Sequence, residues 1–309
     1  MSTTPFSPAA GGRALVLGGG GSTGNAWLIG VIAGLFDAGL DVTTADLTIG
    51  TSAGSTAAAQ LAGATPPELL DAALAAAPRR ATAPASPDRG RGPVRPVADH
   101  LARINAIIAS AADAADMRRR MGAAALDLDA ASDGSWQAQW RATVAARLPS
   151  QHWPQRPVLI TAVDALTGEP VVFDRHSGVD LADAVAASCS SGRPYRIGDT
   201  RYIDGGYRTN AENADLAAGY ARVLVLSPFS GRSLTPVEWG VHLATQVDEL
   251  RAQGSWVETV FPDSSTEHLF GANAMDPSLR PTAARAGHDQ GSALADHLSE
   301  FWRPSLSQS

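Results

Sequence analysis

Short apolar runs separated by amphipathic stretches extend through most of this chain. Short runs bounded by turn residues predict buried strands, and longer stretches with apolar residues on one face predict helices. The predicted strands cover 13–17, 47–50, 157–163, 170–173, 221–226 and 256–261, with a hairpin over 195–203 that turns at 198–199. The run 221–226 is almost continuously apolar, which is typical of a central strand in a sheet covered on both faces.

Helical patterns follow most of these strands. The predicted helices cover 25–38, 52–61, 66–77, much of 99–148, 181–188, 236–253 and 283–301. The first is apolar all round, so it must be buried, and we expect Gly30 and Gly34 to allow close packing of this helix on the sheet. Thr65, two prolines and Glu68 predict the start of the third helix, because they form a capping box. The pattern is that of an α/β protein.

Composition changes this picture little but excludes several functions. The 309 residues are 44% hydrophobic and 18% charged, which predicts a packed domain with a sizeable core. The net charge of -7, from 24 Lys plus Arg against 31 Asp plus Glu, argues against a nucleic-acid partner. Cys189 is the single cysteine, so no intrachain disulfide is expected. Seven histidines have no metal-ligand spacing, and we expect neither metal nor cofactor.

The ends and the middle of the chain carry different expectations. Residues 1–12 read as a mobile leader without a targeting signal, and the best apolar run, 27–36, is too short to span a bilayer. A soluble, cytoplasmic protein is expected. Residues 78–96 are rich in Pro and Arg, which favours a solvated linker over a lid or a contact with an anionic surface. We interpret 78–155 as a helical insertion over the site within a single domain, 1–309.

The first candidate for chemistry is Ser52, in the sequence Gly50-Thr51-Ser52-Ala53-Gly54. A strand followed by such a turn and a helix predicts a nucleophile elbow, because the two glycines remove side chains that would crowd a strained serine. The hydroxyl is then exposed above the strand ends. The alternative is that Ser52 only caps the next helix.

A glycine-rich loop, 18–24, follows the first strand. Its backbone N–H groups suit either a dinucleotide pyrophosphate or the oxyanion of an acyl intermediate. The spacing of Gly19, Gly21 and Gly24 matches the dinucleotide fingerprint, but the second strand does not end in the acidic residue that would bind ribose. Asp46 lies at the start of that strand instead. The loop therefore favours the acyl interpretation.

The leading partner for Ser52 is Asp204, which the predicted hairpin delivers directly before Gly205 and Gly206. Two glycines after a strand-end aspartate let the chain turn sharply and leave the carboxylate at the rim of the sheet. The alternative is an ordinary Asp-Gly turn.

Taken together, these motifs resemble the patatin-like phospholipases, lipid acyl hydrolases with a Ser-Asp dyad. The matching segments, within 13–302, are GGGGSTG at 18–24, GTSAG at 50–54, DALTGEPVVF at 164–173, ASCSSG at 187–192 and YIDGGYRTN at 202–210. The resemblance implies a three-layer α/β/α sandwich with a mostly parallel central sheet. It also implies that Ser52 is the nucleophile, Asp204 the dyad acid and the loop at Gly19, Gly20 and Gly21 the oxyanion hole.

Two departures from that family pattern affect the expected substrate and rate. Thr23 stands where such families usually carry Arg or Lys, which removes a positive charge near the oxyanion. Residues 191–193 are Ser-Gly-Arg, where a Pro-Gly pair is usual. The main hypothesis is a serine acyl hydrolase that acts on lipid or other carboxylic esters and touches a membrane surface transiently.

Three rival hypotheses remain open at this point. A Ser-His-Asp esterase would need His288 or His297 to reach Ser52. A catalytically weak relative would bind a lipid or a protein partner, for which Thr23 is the best support. A nucleotide-binding protein is the third, and the missing strand-end acid counts against it. Acyl-chain length, headgroup and oligomeric state do not follow from the sequence.

Overall fold

A central sheet of eight strands lies between two layers of helices. The computed structural model describes residues 11–75, 96–130 and 135–303. The strands are β1 (Arg13–Leu17), β2 (Leu47–Gly50), β3 (Val158–Asp164), β4 (Pro170–Phe173), β5 (Tyr195–Ile197), β6 (Thr200–Asp204), β7 (Arg222–Leu226) and β8 (Trp256–Val260). Every predicted strand is present with nearly the predicted bounds.

Pairing connects the strands in the order β5-β6-β3-β2-β1-β7-β8, and β4 pairs with β3 in addition. Strands β3, β2, β1, β7 and β8 run parallel to one another, whereas β4, β5 and β6 are antiparallel to their neighbours. All five residues of β7 are buried, as expected for a central strand. The mostly parallel sheet between two helical layers confirms the α/β/α sandwich.

Nine α-helices lie in the described part of the chain. They are α1 (Gly21–Asp37), α2 (Ala53–Leu61), α3 (Pro66–Leu74), α4 (Pro96–Ser110), α5 (Ala114–Ala130), α6 (Ser135–Ala145), α7 (Leu181–Ser188), α8 (Leu243–Ala252) and α9 (Arg280–Trp302). The capping box at Thr65 is formed. The predicted helix 236–253 is wrong in its first part, because Gly240 takes a left-handed φ of 68° and separates a short 3₁₀ turn from α8.

Successive residues of the central strands point alternately toward the two helical layers. Leu15 and Leu17 point toward a core formed with α1, α2, α7 and α9, whereas Ala14 and Val16 point toward a core formed with α8. Helices α4 and α5 cover the second face at β3 and β6, and α6 packs against α7 on the first face. The predicted loop 78–96 lies outside the described residues except for Pro96, as does most of the leader. That the helical stretch covers the site stays a prediction.

The longest helix pair is α1 against α9, and glycines make their contact close. A Cβ atom at Gly30 or Gly34 would collide with a backbone carbonyl of α9, and one at Gly287 or Gly291 would collide with a carbonyl of α1. The sequence predicted that Gly30 and Gly34 pack against the sheet. This was wrong, because they pack against α9. The two helices pack backbone to backbone, so α1 lies between α9 and the core that it shares with β1.

Candidate active site

Ser52 lies at a strained turn between β2 and α2. Its backbone has φ 51° and ψ -113°, a conformation that L-residues other than glycine rarely adopt. A Cβ atom at Gly54 would collide with the carbonyl of Leu17, and one at Gly50 would press on the backbone of Ser55. Both elbow glycines are therefore needed for the chain to turn here, and the turn leaves Ser52 half-buried.

Neighbouring groups hold the backbone of Ser52 in place. Its N–H donates to Ser188 Oγ at 2.9 Å, and its carbonyl accepts from Ser55 Oγ at 2.6 Å and from the Cys189 thiol at 3.1 Å. The side-chain hydroxyl takes no part in these contacts. The strained conformation is thus fixed by groups that leave the hydroxyl free for another partner.

That partner is the buried carboxyl of Asp204, which is only 7% exposed. Burial raises the pKa of Asp204 to about 6, while hydrogen bonds from the Gly206 N–H and from the Ser52 side chain limit the rise. The Gly206 bond measures 2.8 Å. The Ser52 side chain therefore lies close enough to lower the pKa of a carboxyl group that is buried away from water.

Strand pairing along β3 explains why these two residues meet. Residues 160–163 of β3 pair with β4 on one edge, so β2 and β6 share its other edge. Strand β2 leaves that edge at Gly50, opposite Ile160, and β6 leaves it at Asp204, opposite Ala162. Two residues of a strand span about 7 Å. The two chain ends thus face each other across the short gap at Thr161.

The glycine loop lies beside the serine. A Cβ atom built on Gly19 would be 3.5 Å from Ser52 Cβ, so the loop passes directly over the elbow. Helix α1 begins at Gly21, four residues earlier than predicted, because the last residues of the loop already form its first turn. The N-terminus of α1 therefore points to the same place as the serine.

The N–H groups of this loop are not equivalent. The Gly19 N–H donates to the carbonyl of Ala211 at 2.8 Å, so it is unavailable for a substrate in this conformation. The N–H groups of Gly20 and Gly21 have no acceptor among the described residues. Of the three predicted oxyanion-hole residues, only Gly20 and Gly21 keep free donors, and Gly19 instead provides space beside Ser52.

The sequence and fold of this chain are similar to those of known proteins. A model of the patatin-like phospholipases matches residues 15–217, more than half of the chain. The chain belongs to the patatin-like phospholipase family. This confirms the resemblance that the motifs indicated, and membership supports lipid ester hydrolysis as the general function. No match was found among curated protein sequences.

Similar solved structures were also found. VipD from Legionella pneumophila is 14% identical, with a TM-score of 0.42, and the match covers 94% of this chain and 68% of VipD. The type III effector ExoU is 15% identical, with a TM-score of 0.36 and 94% of this chain covered. ExoU in complex with SpcU, from Pseudomonas aeruginosa, gives 16%, 0.35 and 96%. This chain covers 54% of each ExoU chain.

Thr23, the position where this patatin-like protein departs from the expected basic residue, is fully buried. Its N–H donates to the Ala274 carbonyl at 3.0 Å, and its hydroxyl lies 3.5 Å from the same oxygen. A guanidinium reaches the same turn from α9, because Arg280 donates to the Ser22 carbonyl at 2.8 Å and to Asn25 Oδ1 at 3.1 Å. A cation is therefore present near the glycine loop, from a residue that the sequence did not indicate.

The histidines of this patatin-like protein lie elsewhere. His288 contacts Asp37, at the far end of α1 from the glycine loop, and His297 contacts Glu258 of β8. All seven histidines are described, and none makes a contact with Ser52 or Asp204. The nucleotide alternative also lacks support, since the Asp46 carboxylate accepts the Arg13 N–H at the opposite end of the sheet.

Glu212 is a buried carboxyl that the sequence analysis did not identify. It is 1% exposed, lies beside Gly18 and accepts a hydrogen bond from Ser227 Oγ at 2.6 Å. Burial raises the pKa of Glu212 to about 7. Its position in the chain, six residues after Gly206 and without a motif of its own, gave no signal. It shapes the electrostatics beneath the glycine loop.

Proposed function

We propose that this protein is a serine acyl hydrolase that cleaves carboxylic esters of lipids through a dyad of Ser52 and Asp204. The observation that carries the proposal is a serine side chain close enough to a buried carboxyl to lower its pKa, next to Gly20 and Gly21 N–H groups that have no acceptor among the described residues. A nucleophile, a base and oxyanion donors are the groups that acyl transfer needs.

The reaction proceeds in two halves. Ser52 Oγ adds to the ester carbonyl carbon while Asp204 takes the hydroxyl proton, and the carbonyl oxygen becomes negative. Gly20 and Gly21 N–H groups at the N-terminus of α1 stabilise that oxygen. The intermediate expels the alcohol, which receives the proton from Asp204. Water then attacks the acyl-serine by the same steps and releases the carboxylic acid.

An aspartate is an effective general base only when its pKa lies near the working pH. The reference pKa is near 3.9, and burial raises the pKa of Asp204 to about 6. At neutral pH the group is then still mostly ionised, yet it is a much stronger base than an exposed aspartate. This supports a dyad without histidine, as does the position of His288 and His297 away from Ser52.

We infer that the substrate is a lipid at a membrane surface. Leu234, Val237 and Met275 are 57%, 70% and 63% exposed, on loops at the same end of the sheet as Ser52. Exposed apolar side chains at the mouth of a site favour transient contact with lipid. No helix in the described ranges is long and apolar enough to cross a bilayer.

A fluorophosphonate probe and a set of p-nitrophenyl esters of graded chain length test this function. The folded protein should hydrolyse the esters and take up label, and Ser52→Ala should lose both. Ser265→Ala, which removes a serine hydroxyl on an exposed turn, is the matched control and should keep both. Unchanged hydrolysis by Ser52→Ala, or label on another residue of that variant, contradicts the proposed function.

A further inference from the structure

The amide of Asn213 connects the two chain ends that carry Ser52 and Asp204. Its Nδ2 donates to Thr51 Oγ1 at 2.9 Å and to the Gly205 carbonyl at 3.0 Å, with Thr161 Oγ1 at 3.4 Å. The hydroxyls of Thr51 and Thr161 also share a hydrogen bond of 2.9 Å. One buried amide therefore joins the residue before the serine, the residue after the aspartate, and the strand between them.

The orientation of this amide is fixed by its other half. Asn213 Oδ1 accepts from Thr209 Oγ1 at 2.7 Å and from Arg208 at 3.1 Å, and a guanidinium can only donate. The NH₂ group must therefore face Thr51 and Gly205. The backbone N–H of Asn213 donates to Asn210 Oδ1 at 2.7 Å. Asn213 is fully buried, and its polar groups are satisfied on every side.

The backbone of Asn213 also points to a constrained role. It takes the left-handed conformation, with φ 56° and ψ 42°, which asparagine tolerates better than most residues. The chain continues from this residue directly into the next turn, 214–217. Residues other than Gly, Asn and Asp meet backbone strain in this conformation, and neither Gly nor Asp would bring amide donors.

The two chain ends need such a connection because the sheet does not supply one. Strands β2 and β6 occupy the same edge of β3 end to end and do not pair with each other. Among the described residues, no backbone hydrogen bond joins 50–54 to 202–206. Gly205 packs closely on β3, since a Cβ atom there would collide with Thr161. Residues 188–190 hold each end separately, since Ser188 Oγ and the Cys189 thiol bond Ser52 and the Ser190 carbonyl accepts the Asp204 N–H at 3.0 Å. Asn213 is the single side chain that hydrogen-bonds to both Thr51 and Gly205 among the described residues.

We propose that Asn213 is a positioning residue for acyl transfer: its amide donors hold the Thr51 and Gly205 turns in register, so that the Ser52 hydroxyl stays on the Asp204 carboxylate. The inference rests on the proposed function. Asn213 touches neither reacting group. An error of about 1 Å between nucleophile and base lowers turnover by on the order of a hundredfold, so loss of this link should affect the chemical step rather than ester binding.

A pair of substitutions at Thr51 tests the hydroxyl side of the link. Thr51→Val keeps the shape and removes the acceptor, whereas Thr51→Ser keeps the acceptor. We expect Thr51→Val to lower kcat about 10- to 100-fold with little change in KM, and Thr51→Ser to retain most of it. Equal losses in both variants would mean that shape, and not the hydrogen bond, matters, and would overturn the inference.

Two substitutions at Asn213 test the amide itself. Asn213→Gly keeps the left-handed backbone and removes the amide, and Asn213→Asp keeps the acceptor facing Arg208 but has no donor toward Thr51. Both should lower kcat and the rate of fluorophosphonate labelling by a similar factor. Binding of an uncleaved ester, measured with Ser52→Ala added to each variant, should be unchanged. Leu298→Ala, a buried change in α9 within the core on the other face of the sheet, is the control for lost stability and should keep kcat.

The outcomes separate this inference from the proposed function. Wild-type turnover in Asn213→Gly and Thr51→Val, beside an inactive Ser52→Ala, overturns the positioning role and leaves the proposed function standing. Wild-type turnover in Ser52→Ala overturns both. If Asn213→Gly does not fold, the Thr51 pair decides the question, because Val and Ser both fit the buried site and differ in the hydroxyl.

Discussion

The buried carboxyl of Asp204 sets an expected pH dependence. Burial raises its pKa to about 6, and only the ionised form accepts the serine proton. We therefore expect kcat/KM for a p-nitrophenyl ester to rise with pH through about 6 and then to level off. An exposed aspartate would give this limb near pH 4.

Two variants secure the assignment of that limb. Asp204→Asn should lose acylation by orders of magnitude while folding normally. Glu212→Gln, which removes the other buried carboxyl with a raised pKa, should keep a limb near pH 6. A limb that stays near pH 4 in the wild type, or that disappears in Glu212→Gln, contradicts Asp204 as the base.

A second prediction at the residue scale concerns the space over the nucleophile. A methyl group at Gly19 would lie 3.5 Å from Ser52 Cβ, which is ordinary van der Waals contact, so Gly19→Ala should fold. The methyl would nevertheless occupy the place that an ester carbonyl needs to approach the serine. We expect turnover to fall at least about tenfold, because near-attack geometry is lost. Gly192→Ala, where a Cβ meets open space, is the control, and equal activity of both would remove Gly19 from the substrate path.

The sequence pointed to the residues with motifs and missed those without. Ser52, Asp204 and the glycine loop lie in short patterns whose spacing follows from the geometry of a turn, so they could be predicted. Asn213, Arg280 and Glu212 reach the same place through single side chains from segments without a pattern of their own. The hydrogen bond from the Gly19 N–H was missed for the same reason, since its acceptor, the Ala211 carbonyl, comes from a segment far along the chain.

Among the elements, the packing of α1 against α9 carries the clearest prediction. Gly34→Ala would add helix propensity of about 1 kcal/mol in an unhindered helix. Here the new methyl would collide with the carbonyl of His288, and two close-packed backbones cannot separate without loss of other contacts. We expect a net loss of about 2 kcal/mol or more in the free energy of unfolding, measured by urea denaturation. A stabilised Gly34→Ala would show that the helices are not in backbone contact.

Periodicity predicted most of the helices and strands, but it did not predict how the strands are arranged relative to one another. Strand and helix positions depend on local patterns, and the predicted bounds were close at β1, β2 and α7. The direction of β6, and its place end to end with β2 on one edge of β3, depend on pairing between distant segments. This arrangement brings Ser52 to Asp204. The pattern indicated two strand ends near one another but not the gap at Thr161 that lies between them.

At the scale of the whole molecule, two buried carboxyls with raised pKa values make folding depend on pH. Asp204 and Glu212 hold protons more tightly in the folded state than in the unfolded chain. Their contribution to stability is thus fully present below about pH 4 and is lost as pH rises through about 6 for Asp204 and about 7 for Glu212. This runs opposite to the usual salt-bridged carboxylate.

Glu212→Gln isolates this effect, because glutamine keeps an acceptor for Ser227 and cannot ionise. The pKa of Glu212 rises from 4.5 to about 7, and each unit corresponds to about 1.4 kcal/mol, so the cost of ionisation in the folded state is on the order of 3 kcal/mol. Urea denaturation at a series of pH values should show that the free energy of unfolding of the variant rises relative to that of the wild type between pH 5 and 8 by roughly that amount. The pH dependence that remains in the variant should come from Asp204. Ser265→Ala, on an exposed turn, should follow the wild-type curve throughout. Parallel curves for Glu212→Gln and the wild type would mean that Glu212 is not protonated in the fold, and that a counter-charge or water reaches it beneath the glycine loop.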